Sequence, residues 1–528
     1  MLRSTFLGYK TATSALKVNQ NMLDVVGQNI SNINTQGYTR QRLDINSVSF
    51  STSNIKLGTT GVIIGQGVEA SGVSQFRDSF LDLRYRMEAA KSGSEYVQLE
   101  ALSDLETVFD EISKDGIDAQ FSDLIQQLHS LTSSPSDPVL EGVVRTSAQM
   151  LTQMFNNYSD EIDTIRNQQL NYLQDGAIVK VNQLLDNIAK LSQQIKEDNI
   201  SGNPALELND ERNMLIDELS NYLDIEVVLT PQSIGGGRSI DLLSIKLRDV
   251  NPVVELVNDN KNAVLGLSST ASEVKIGITN IDGTIDNDIN DVIKKGQLDG
   301  YLKFLNGSGE FATTSYNNKG VVYYRSMLDT LASKFAEIMN EANSTDGIVG
   351  YPYNKPLFEA RDIIDDQDPT KDSSDSAKIT AGNIKISDAW ASSTGSYITN
   401  TKIVTTGDSS GATDNILKMI SKFQSGSGNH EFKTGGSTGT TLFEGTFQEF
   451  LSFTTTRLNL QVDDVQTSYD TYSESQHQID YARSSMSSVD LNEEGVNLLQ
   501  YSKSYNAAAR LMTTLDEMLD TLINRMGV

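Results

Sequence analysis

The chain contains no cysteine and few of the other residues that carry chemistry or reverse the chain. Its 528 residues include no cysteine, three histidines, one tryptophan and eight prolines. Without cysteine there can be no disulfide framework, no thiolate metal site and no thiol nucleophile. The composition therefore excludes the disulfide-rich secreted class and all enzymes that depend on a reactive thiol.

Basic residues are also scarce. Lys and Arg total 42 against 70 Asp and Glu, which gives a net charge of -28. Such a surface repels a polyphosphate backbone and an anionic bilayer, so we expect no nucleic acid and no membrane as partner. No stretch approaches the ~18 consecutive apolar residues of a membrane-spanning helix, and the first residues lack a signal-peptide core. We expect a protein that is either cytoplasmic or exported without a cleavable signal.

The two ends of the chain each carry an apolar seam in which the spacing alternates between three and four residues. The C-terminal seam comprises Leu498, Tyr501, Tyr505, Ala508, Met512, Leu515, Leu519, Leu522 and Met526. The N-terminal seam comprises Ala12, Leu16, Leu23, Val26, Ile30 and Ile33, with Asn19 as one polar member. An amphipathic helix cannot bury such a stripe alone. We therefore predict that the ends form an antiparallel coiled coil, and that these residues are the candidate assembly interface.

The chain is too long for a single core, and the order of its patterns predicts a multi-domain α+β fold. Helical patterning over 74–198, 321–343 and 446–488 predicts a long helical-bundle domain built from discontinuous segments, and strands are expected near 61–68, 225–229 and 240–247. The predicted parts are a terminal coiled coil (1–40 with 490–528), a mainly helical domain (41–225 with 316–346 and 446–489), a β-containing segment (226–315) and an outer β-rich, solvent-exposed variable domain (347–445). We expect assembly to tolerate removal of 347–445.

No constellation of residues indicates catalysis. His430 and Glu431 begin a zinc-protease pattern, but the second histidine position is Thr434. Asp282–Asp288 alternates like a calcium loop, but the required glycine and final acid are absent. An acidic run at 362–375 is most simply an exposed loop, with a weak surface cation site as the alternative. We therefore predict no catalytic, cofactor-binding or metal-binding residues and no cofactor, in a protein that is not an enzyme.

Motifs at both ends resemble the bacterial flagellar rod, hook and hook-associated proteins, a family of axial proteins. The segment Gly27–Gln41 is similar to the family's N-terminal signature, and Val489–Arg510 is similar to its C-terminal signature. Gln36 departs from the family, which often has proline there. The signature residues that we single out are Asn29, Asn32, Asn34, Gly37, Tyr38, Asn497 and Tyr505.

Within the family, Phe76–Arg86, Asn318–Asn343 and Phe447–Phe450 resemble the members at the hook–filament junction. This resemblance implies a structural adaptor that joins hook to filament and assembles through its terminal helices into a tubular layer. The implied partners are further copies of the chain, hook protein on the proximal side, a second junction protein on the distal side, and a cytoplasmic export chaperone at the C-terminal helix. The implied location is the extracellular flagellum, reached through the flagellar type III pathway.

Two other functions stay open. The chain could be another axial component of the hook or distal rod type, which the long helical block disfavours because such proteins typically lack it. It could also be a secreted hydrolase or adhesin displayed on flagellar-type ends, with residues 226–445 as the active part. A cluster of metal-type ligands in that region would favour the second alternative, and the sequence shows none.

Overall fold

The computed structural model describes most of the chain, and helices dominate it. It covers residues 5–48, 67–114, 116–235, 238–269, 273–312, 317–345, 354–361, 373–402, 411–424, 429–434 and 439–521. The α-helices are α1 (Thr5–Ser31), α2 (Ser79–Lys114), α3 (Ile117–Leu131), α4 (Pro138–Asn171), α5 (Val179–Ser201), α6 (Leu206–Tyr222), α7 (Gln297–Asn306), α8 (Val321–Asn343), α9 (Asp388–Ala391), α10 (Asp414–Ser421), α11 (Phe447–Ser487) and α12 (Leu491–Asp520). The helices predicted at 321–343 and 446–488 are confirmed as α8 and α11.

The strands form small antiparallel sheets. They are β1 (Gln41–Ser47), β2 (Val68–Gln75), β3 (Ile225–Gly235), β4 (Arg238–Leu247), β5 (Glu255–Asn258), β6 (Lys261–Asn262), β7 (Val264–Ser269), β8 (Val274–Thr279), β9 (Ile285–Asp286), β10 (Phe358–Ala360), β11 (Ile384–Ile386), β12 (His430–Lys433) and β13 (Thr441–Gly445). The sheet orders are β1-β2, β3-β4-β5-β6, β7-β8-β9, β10-β11 and β12-β13. The strands predicted at 225–229 and 240–247 are confirmed, since they pair within β3 and β4. The strand predicted at 61–68 falls almost entirely outside the described residues.

Several helices begin at a residue whose side chain caps the first turn. Asp137 accepts a hydrogen bond from a backbone amide of the first turn of α4, and Asp490 does the same for α12. Thr446 and Glu449 form a reciprocal capping box at the start of α11. Such caps satisfy amides that have no partner inside the helix and contribute about 1 kcal/mol each. They explain why these helices begin where they do.

A π-helical turn at Tyr172–Ile178 joins α4 to α5 without a break. Gln169, Leu173, Ala177 and Val181 follow one another at intervals of four residues, and all four are buried. A regular α-helix would rotate residues at this spacing progressively away from the core, whereas the wider π turn keeps them in line. The π turn therefore lets α4 and α5 bury the same side of one long helix.

Aromatic side chains from distant parts of the sequence fill the core of the helical block. The ring of Phe121 in α3 lies 5.5 Å from that of Phe335 in α8 and 5.6 Å from that of Phe447 in α11. All three side chains are at most 1% exposed. Helices separated by more than 100 residues thus share one core. This arrangement confirms the predicted multi-domain α+β class with a helical bundle built from discontinuous segments.

The described residues between 354 and 402 differ from our expectation for that segment. Leu357, Phe358, Ile384 and Trp390 are each at most 1% exposed and belong to the same hydrophobic cluster as α4 and α8. The expectation that this segment is solvent-exposed is therefore wrong for its described part. Its composition misled us because a few apolar residues, placed among many Ser, Thr and Asp, are enough to anchor it on the helices. The domain boundaries themselves stay a prediction.

Candidate assembly interface and its junction with the helical domain

The first and last helices lie side by side and run in opposite directions. A Cβ atom placed on Gly8 would lie 3.4 Å from a methyl carbon of Leu515. Further along, the hydroxyl of Thr13 lies 3.8 Å from the sulfur of Met512. Residue numbers therefore rise along α1 as they fall along α12. We call this antiparallel pair, α1 with α12, the terminal coiled coil.

The predicted seam residues enter this contact to different degrees. Ala12, Val26 and Ala508 are buried. The half-buried members are Leu16, Leu23, Ile30, Tyr501, Met512, Leu515 and Leu519. The members that stay between 36% and 41% exposed are Ile33, Leu498 and Tyr505. Leu522 and Met526 lie outside the described residues. One chain alone thus covers only part of the seam.

A second apolar face on α12 points away from α1. Val496, Leu499, Leu511 and Met518 are each between 49% and 63% exposed. At about 100° per residue, these four residues span an arc of about 120° whose centre is displaced by roughly 130° from the centre of the seam. The sequence analysis missed these residues because it followed only the heptad positions. Their apolar character at helical spacing was the available signal.

Asn29, one of the signature residues, fastens the end of α1 to the start of β1. Its side chain is buried, and its Nδ2 donates to the carbonyl of Gln41 at 3.0 Å. Its Oδ1 accepts from the backbone N–H of Gln41 and from the hydroxyl of Tyr38, both at 3.0 Å. Burial, together with nearby carboxylates, raises the pKa of Tyr38, so its hydroxyl keeps the proton that it donates. Asn29 therefore sets the direction in which the chain leaves α1.

Except for Tyr505, the remaining signature residues lie at the same end of the terminal coiled coil. Asn32 donates to the carbonyl of Gln28 at 3.0 Å and accepts from the hydroxyl of Thr35 at 3.1 Å, which shapes the turn after α1. Asn34 is exposed, and Asn497 is half-buried in the second turn of α12. The structure thus brings the N-terminal signature and the beginning of the C-terminal signature together, while Tyr505 lies further along α12.

Gly37 lies where any side chain would be obstructed. Its φ is +77°, in the left-handed region that favours glycine. A Cβ atom there would lie only 2.2 Å from the sulfur of Met214 in α6. The glycine thus serves both the backbone conformation of the turn and the close approach of the turn to the helical domain.

Arg40 links three segments at this junction. Its Nε donates to Glu494 at 2.7 Å, and its Nη1 donates to Glu493 at 2.6 Å. Its backbone N–H donates to the carbonyl of Ser487 at 2.8 Å, and its guanidinium lies 5.3 Å from the ring centre of Phe76. Burial lowers the pKa of Arg40, but the two carboxylates outweigh this effect and raise it. The arginine therefore stays charged and connects the end of α11 with the start of α12.

Asp210 in α6 holds the residue next to Arg40. It accepts from the backbone N–H of Thr39 at 3.0 Å, from the Thr39 hydroxyl at 2.7 Å and from Gln75 at 2.9 Å. Burial raises the pKa of Asp210, while these hydrogen bonds and the charge of Arg77 oppose the rise. The carboxylate thus ties the turn after α1 to the end of β2 and to the helical domain.

Arg483, near the end of α11, has three carboxylate partners. Its guanidinium donates to Asp217 at 2.6 Å, to Asp480 at 3.0 Å and to Asp82 at 3.4 Å. It also lies 4.1 Å from the ring centre of Tyr85. This cluster holds the end of α11 against α2 and α6. Sequence reasoning did not single out these charges, because a charged residue on a helix is usually solvated and its partners here come from distant segments.

A cleft of about 760 Å³ lies between the turn after α1, α6 and the end of α11. Its lining includes Gly37, Met214, Tyr85 and Arg483. Ser487, whose carbonyl accepts from the backbone N–H of Arg40, also lines the cleft. The junction between the terminal coiled coil and the helical domain is thus polar and incompletely packed.

The described residues contain no group of three or more His, Cys, Asp or Glu side chains arranged to hold a metal ion. His430 is buried, its Nε2 lies 2.9 Å from the carbonyl of Lys422, and its ring lies 4.9 Å from that of Phe447. Burial lowers the pKa of His430. Among the described residues, no helix is both long and apolar enough to cross a bilayer. Residues 362–372 of the acidic run lie outside the described part.

Family models match three parts of the chain. Residues 102–354 match the flagellar hook-associated protein FlgK helical domain. Residues 483–526 match the flagellar basal body rod FlgEFG protein C-terminal model, and residues 10–39 match the flagella basal body rod protein model. The two rod-type matches fall on the terminal coiled coil. They confirm the resemblance that the terminal motifs predicted.

Whole proteins show the same similarity. The chain is 28% identical to flagellar hook-associated protein 1 of Bacillus subtilis over 538 aligned residues, which is 100% of this chain and 99% of that protein. It is 24% identical to flagellar hook-associated protein 1 of Escherichia coli over 62% of this chain and 55% of that protein. The solved structure of the flagellar hook junction protein FlgK from Burkholderia pseudomallei matches with a TM-score of 0.42 and 19% identity, over 53% of this chain and 46% of that one.

Proposed function

We propose that this chain is a flagellar hook-associated protein of the FlgK type and that it is the structural adaptor that joins the hook to the filament. The observation that carries the proposal is the combination of parts in one chain. The rod-type matches at 10–39 and 483–526 include most of α1 and all of α12, which form an antiparallel pair, and residues 102–354 between them match a hook-associated helical domain. The two ends match models of the rod proteins, and the middle matches the helical domain of a hook-associated protein.

The proposed mechanism is mechanical. Terminal coiled coils from many copies pack side by side into a tubular layer, and the helical domains form a surrounding layer. The exposed face of Val496, Leu499, Leu511 and Met518 and the uncovered part of the seam support this arrangement. Burying such a side chain stabilises an assembly by roughly 1.5–3 kcal/mol relative to leaving it in water. Each copy therefore gains stability from neighbours that an isolated chain lacks.

An adaptor needs two different end surfaces. A flexible hook and a stiff filament present different lattices, and head-to-tail contacts let one subunit carry a separate surface for each neighbour. We propose hook protein as the proximal partner and hook-associated protein 3 as the distal partner. We also propose that the chain leaves the cytoplasm through the flagellar type III pathway and resides in the extracellular flagellum.

The proposal assigns no catalysis to the chain, in line with the relatives, which are named flagellar hook-associated protein 1. The first alternative, another axial component of the hook or distal rod type, is disfavoured by the match of residues 102–354 to a hook-associated helical domain. The second alternative, a displayed hydrolase or adhesin, draws no support from the described residues, which hold no metal-ligand cluster.

The test replaces seam residues in the full-length chain. Leu498→Asp, Met512→Asp and Leu519→Asp are introduced together into a strain that lacks the chromosomal copy. Because the new charges would be buried without partners, we expect hooks without filaments and flagellin shed into the medium. Asn506→Asp, which adds one charge at an exposed position of the same helix, serves as the control and should support normal filaments.

Microscopy counts the filaments, and an immunoblot of the culture medium confirms export of each variant. Full filaments grown by a seam variant that is exported normally would contradict the adaptor proposal. Loss of a catalytic or adhesive activity on changing residues 226–445, with filaments intact, would favour the displayed-enzyme alternative.

A further inference from the structure

A groove of about 390 Å³ lies between α4 and β11, and none of its lining residues belongs to the terminal coiled coil. Ligand sites in proteins usually have volumes of ~300–1,000 Å³, so the groove is large enough for a small ligand. One wall is a face of α4 that carries Gln149, Thr152, Gln153 and Asn156. The other wall is formed by the three residues of β11. We call this cavity the α4–β11 groove.

One edge of β11 is occupied by β10. Ser387 donates its backbone N–H to the carbonyl of Leu357, and Arg361 donates its own to the carbonyl of Asn383, both at 2.8 Å. Hydrogen-bonded and non-hydrogen-bonded pairs alternate along an antiparallel ladder. The backbone N–H and C=O of Ile386, one residue before Ser387, therefore point away from β10, towards the second edge of β11.

This second edge faces α4. The carbonyl of Ile384 points the same way as that of Ile386, because the two residues are two apart in a strand. It accepts a hydrogen bond from Nδ2 of Asn156 in α4, at 3.0 Å. The backbone N–H and C=O of Ile386 thus face α4 across the groove. One residue of an extended peptide exchanges two hydrogen bonds with such a pair of groups.

Asn156 adds an acceptor that lacks a donor. Its side chain is 7% exposed, and its Nδ2 donates to the carbonyls of Thr152, Ala381 and Ile384 at 2.8, 3.0 and 3.0 Å. Its Oδ1 has no hydrogen-bond partner in the part of the chain that the structure describes. A buried polar atom without a partner costs free energy. Because Asn156 lines the groove, this acceptor favours a ligand that carries an N–H donor.

The groove is positively charged. Arg145, Arg361 and Lys385 line it, while Asp388 is the one acidic residue of its lining and pairs with Lys385 at 2.8 Å. The guanidinium of Arg145 is held in place by the carbonyl of Trp390 at 2.9 Å. Three positive charges against one negative charge contrast with the net charge of -28 of the whole chain. Guanidinium groups form strong, charge-assisted hydrogen bonds with carboxylates, so the lining favours an acidic ligand.

We propose that the α4–β11 groove binds an acidic peptide in an extended conformation, as a short third strand beside β11. One residue of the peptide pairs with the backbone of Ile386, and a further backbone N–H approaches Oδ1 of Asn156. Acidic side chains of the peptide lie against Arg145 and Arg361. In this mode of recognition, main-chain hydrogen bonds supply affinity and the flanking side chains supply specificity.

The experiment measures binding of one peptide to the unassembled full-length chain by fluorescence anisotropy. The probe is a fluorescein-labelled, C-terminally amidated peptide of sequence Asp-Thr-Asp-Thr-Asp, used at low ionic strength because salt screens exposed charges. We expect saturable binding. An unlabelled peptide of the same sequence with every backbone amide N-methylated keeps the charge but loses the donors, and should compete about tenfold less well or worse. Free aspartate should compete less well still.

Two variants test the location. Gln149→Trp places a large side chain in the groove from an exposed position and should abolish binding. Arg361→Glu reverses an exposed charge of the lining and should weaken binding about tenfold or more. The matched controls are Asn167→Trp, at an exposed position of α4 outside the groove, and Lys261→Glu, at an exposed position of β6. Both controls should bind the probe as the parent does.

Lack of saturable binding to the parent chain would overturn the proposal. Equal competition by the N-methylated peptide or by free aspartate would also overturn it, because the groove would then attract anions without pairing a strand. Parental affinity in Arg361→Glu or in a folded Gln149→Trp would place the peptide elsewhere. Circular dichroism checks folding, and Arg361→Glu decides alone if Gln149→Trp loses helix. The outcome is independent of whether the chain joins hook to filament, since the test involves neither filaments nor seam residues.

Discussion

Glu141 and Trp390, 249 residues apart in the sequence, are joined by a buried hydrogen bond of 3.1 Å from the indole N–H to the carboxylate. The same carboxylate accepts from the backbone N–H groups of Tyr397 and Ile398, at 2.9 and 3.3 Å. Glu141 lies in the first turn of α4 and is 3% exposed. One acidic side chain thus fastens the segment around Trp390 to the helical domain.

Replacing Glu141 with alanine should destabilise the helical domain. The change removes the acceptor of three N–H groups, two of them in buried residues, and each buried group left unpaired costs about 1–3 kcal/mol. We expect the free energy of unfolding to fall by about 3 kcal/mol or more, and by less in Glu141→Gln, which keeps one acceptor. Urea unfolding followed by the fluorescence of Trp390, the only tryptophan, measures the effect locally. Asp160→Ala, at an exposed position of α4, is the control. An equal loss of unfolding free energy in Glu141→Ala and Asp160→Ala would contradict the stabilising role assigned to Glu141.

Removing residues 354–402 should unfold the helical domain, contrary to the expectation from composition. Asn340 of α8 is fully buried, donates to the carbonyl of Phe358 at 2.9 Å and accepts from the amides of Leu357 and Phe358. Deletion would leave these groups unpaired and expose the core beneath Phe358 and Trp390. Circular dichroism melting of the deletion variant, closed by a flexible linker, should show loss of the cooperative transition. If the variant unfolds at the parental temperature and supports normal filaments in cells, the expectation that assembly tolerates removal of this segment would hold instead.

Asp329 in α8 should make stability depend on pH. Burial, opposed by a hydrogen bond from the amide of Ala381, raises the pKa of Asp329 to about 6. A carboxyl whose pKa is higher in the folded chain contributes stability at pH values below its unfolded pKa, and this contribution is lost as the pH rises towards 6. Asp329→Asn keeps an acceptor for Ala381 without the charge. We expect the variant to be more stable than the parent by about 1–2 kcal/mol at pH 7.5.

At pH 4 the advantage of Asp329→Asn over the parent should nearly vanish, since the parent carboxyl is then protonated in the folded state and half-protonated in the unfolded one. Denaturant titrations at the two pH values provide the comparison. Asp163→Asn, at a partly exposed carboxylate that pairs with Arg325, is the control and should not stabilise the chain at pH 7.5. An advantage of Asp329→Asn that is the same at both pH values would contradict the assignment.

Gly37→Ala should weaken the junction for two separable reasons. A left-handed backbone costs an L-residue roughly 1–2 kcal/mol, and the new methyl group would contact Met214, whose sulfur lies 2.2 Å from the Cβ position. The double variant Gly37→Ala with Met214→Ala removes the contact but keeps the backbone cost, so we expect it to recover only part of the loss. Thermal unfolding of both variants and of Met214→Ala alone measures this. Full recovery in the double variant would show that the backbone conformation costs nothing.

A cytoplasmic chaperone should bind α12 before α1 packs against it. Leu515 and Leu519 are half-buried in the terminal coiled coil, and an apolar helical stripe of this kind fits a groove-type partner. Leu515→Asp with Leu519→Asp should abolish capture of the chaperone in a pull-down from the cytoplasm of the source cells. Asn506→Asp should leave capture unchanged. Capture of the double variant at the parental level would place the chaperone site elsewhere.

The elements that sequence reasoning predicted well are those determined by neighbours in the chain. The spacing of Tyr324, Leu328, Leu331 and Phe335 predicted α8 correctly, because residues three and four apart fall on one side of a helix whatever lies opposite. The predicted start of α11 at residue 446 agrees with the structure, where Thr446 and Glu449 form a capping box that involves only one turn. The signature motifs likewise lie in short contiguous segments.

The candidate site was predicted only in part. The heptad spacing identified the seam, yet it could not show that Ala12, Val26 and Ala508 would be buried within one chain while Leu498 and Tyr505 stay exposed. Which seam residues are buried depends on the position of α1 relative to α12, and the heptad spacing does not specify that position. The face around Leu511 and Met518 was missed for the same reason, because exposure follows from what the rest of the fold leaves uncovered.

Sequence alone determined the principal helices and the apolar seams at the two ends, because each depends on local pattern. The tertiary structure alone decided the partners of buried polar groups. Glu141 accepts a hydrogen bond from Trp390, which lies 249 residues away in the sequence. Arg40 donates to Glu494, which lies 454 residues away. A polar side chain carries no mark of a distant partner, since the partner is often a backbone N–H that every residue except proline possesses. Only the folded chain brings such groups within hydrogen-bonding distance.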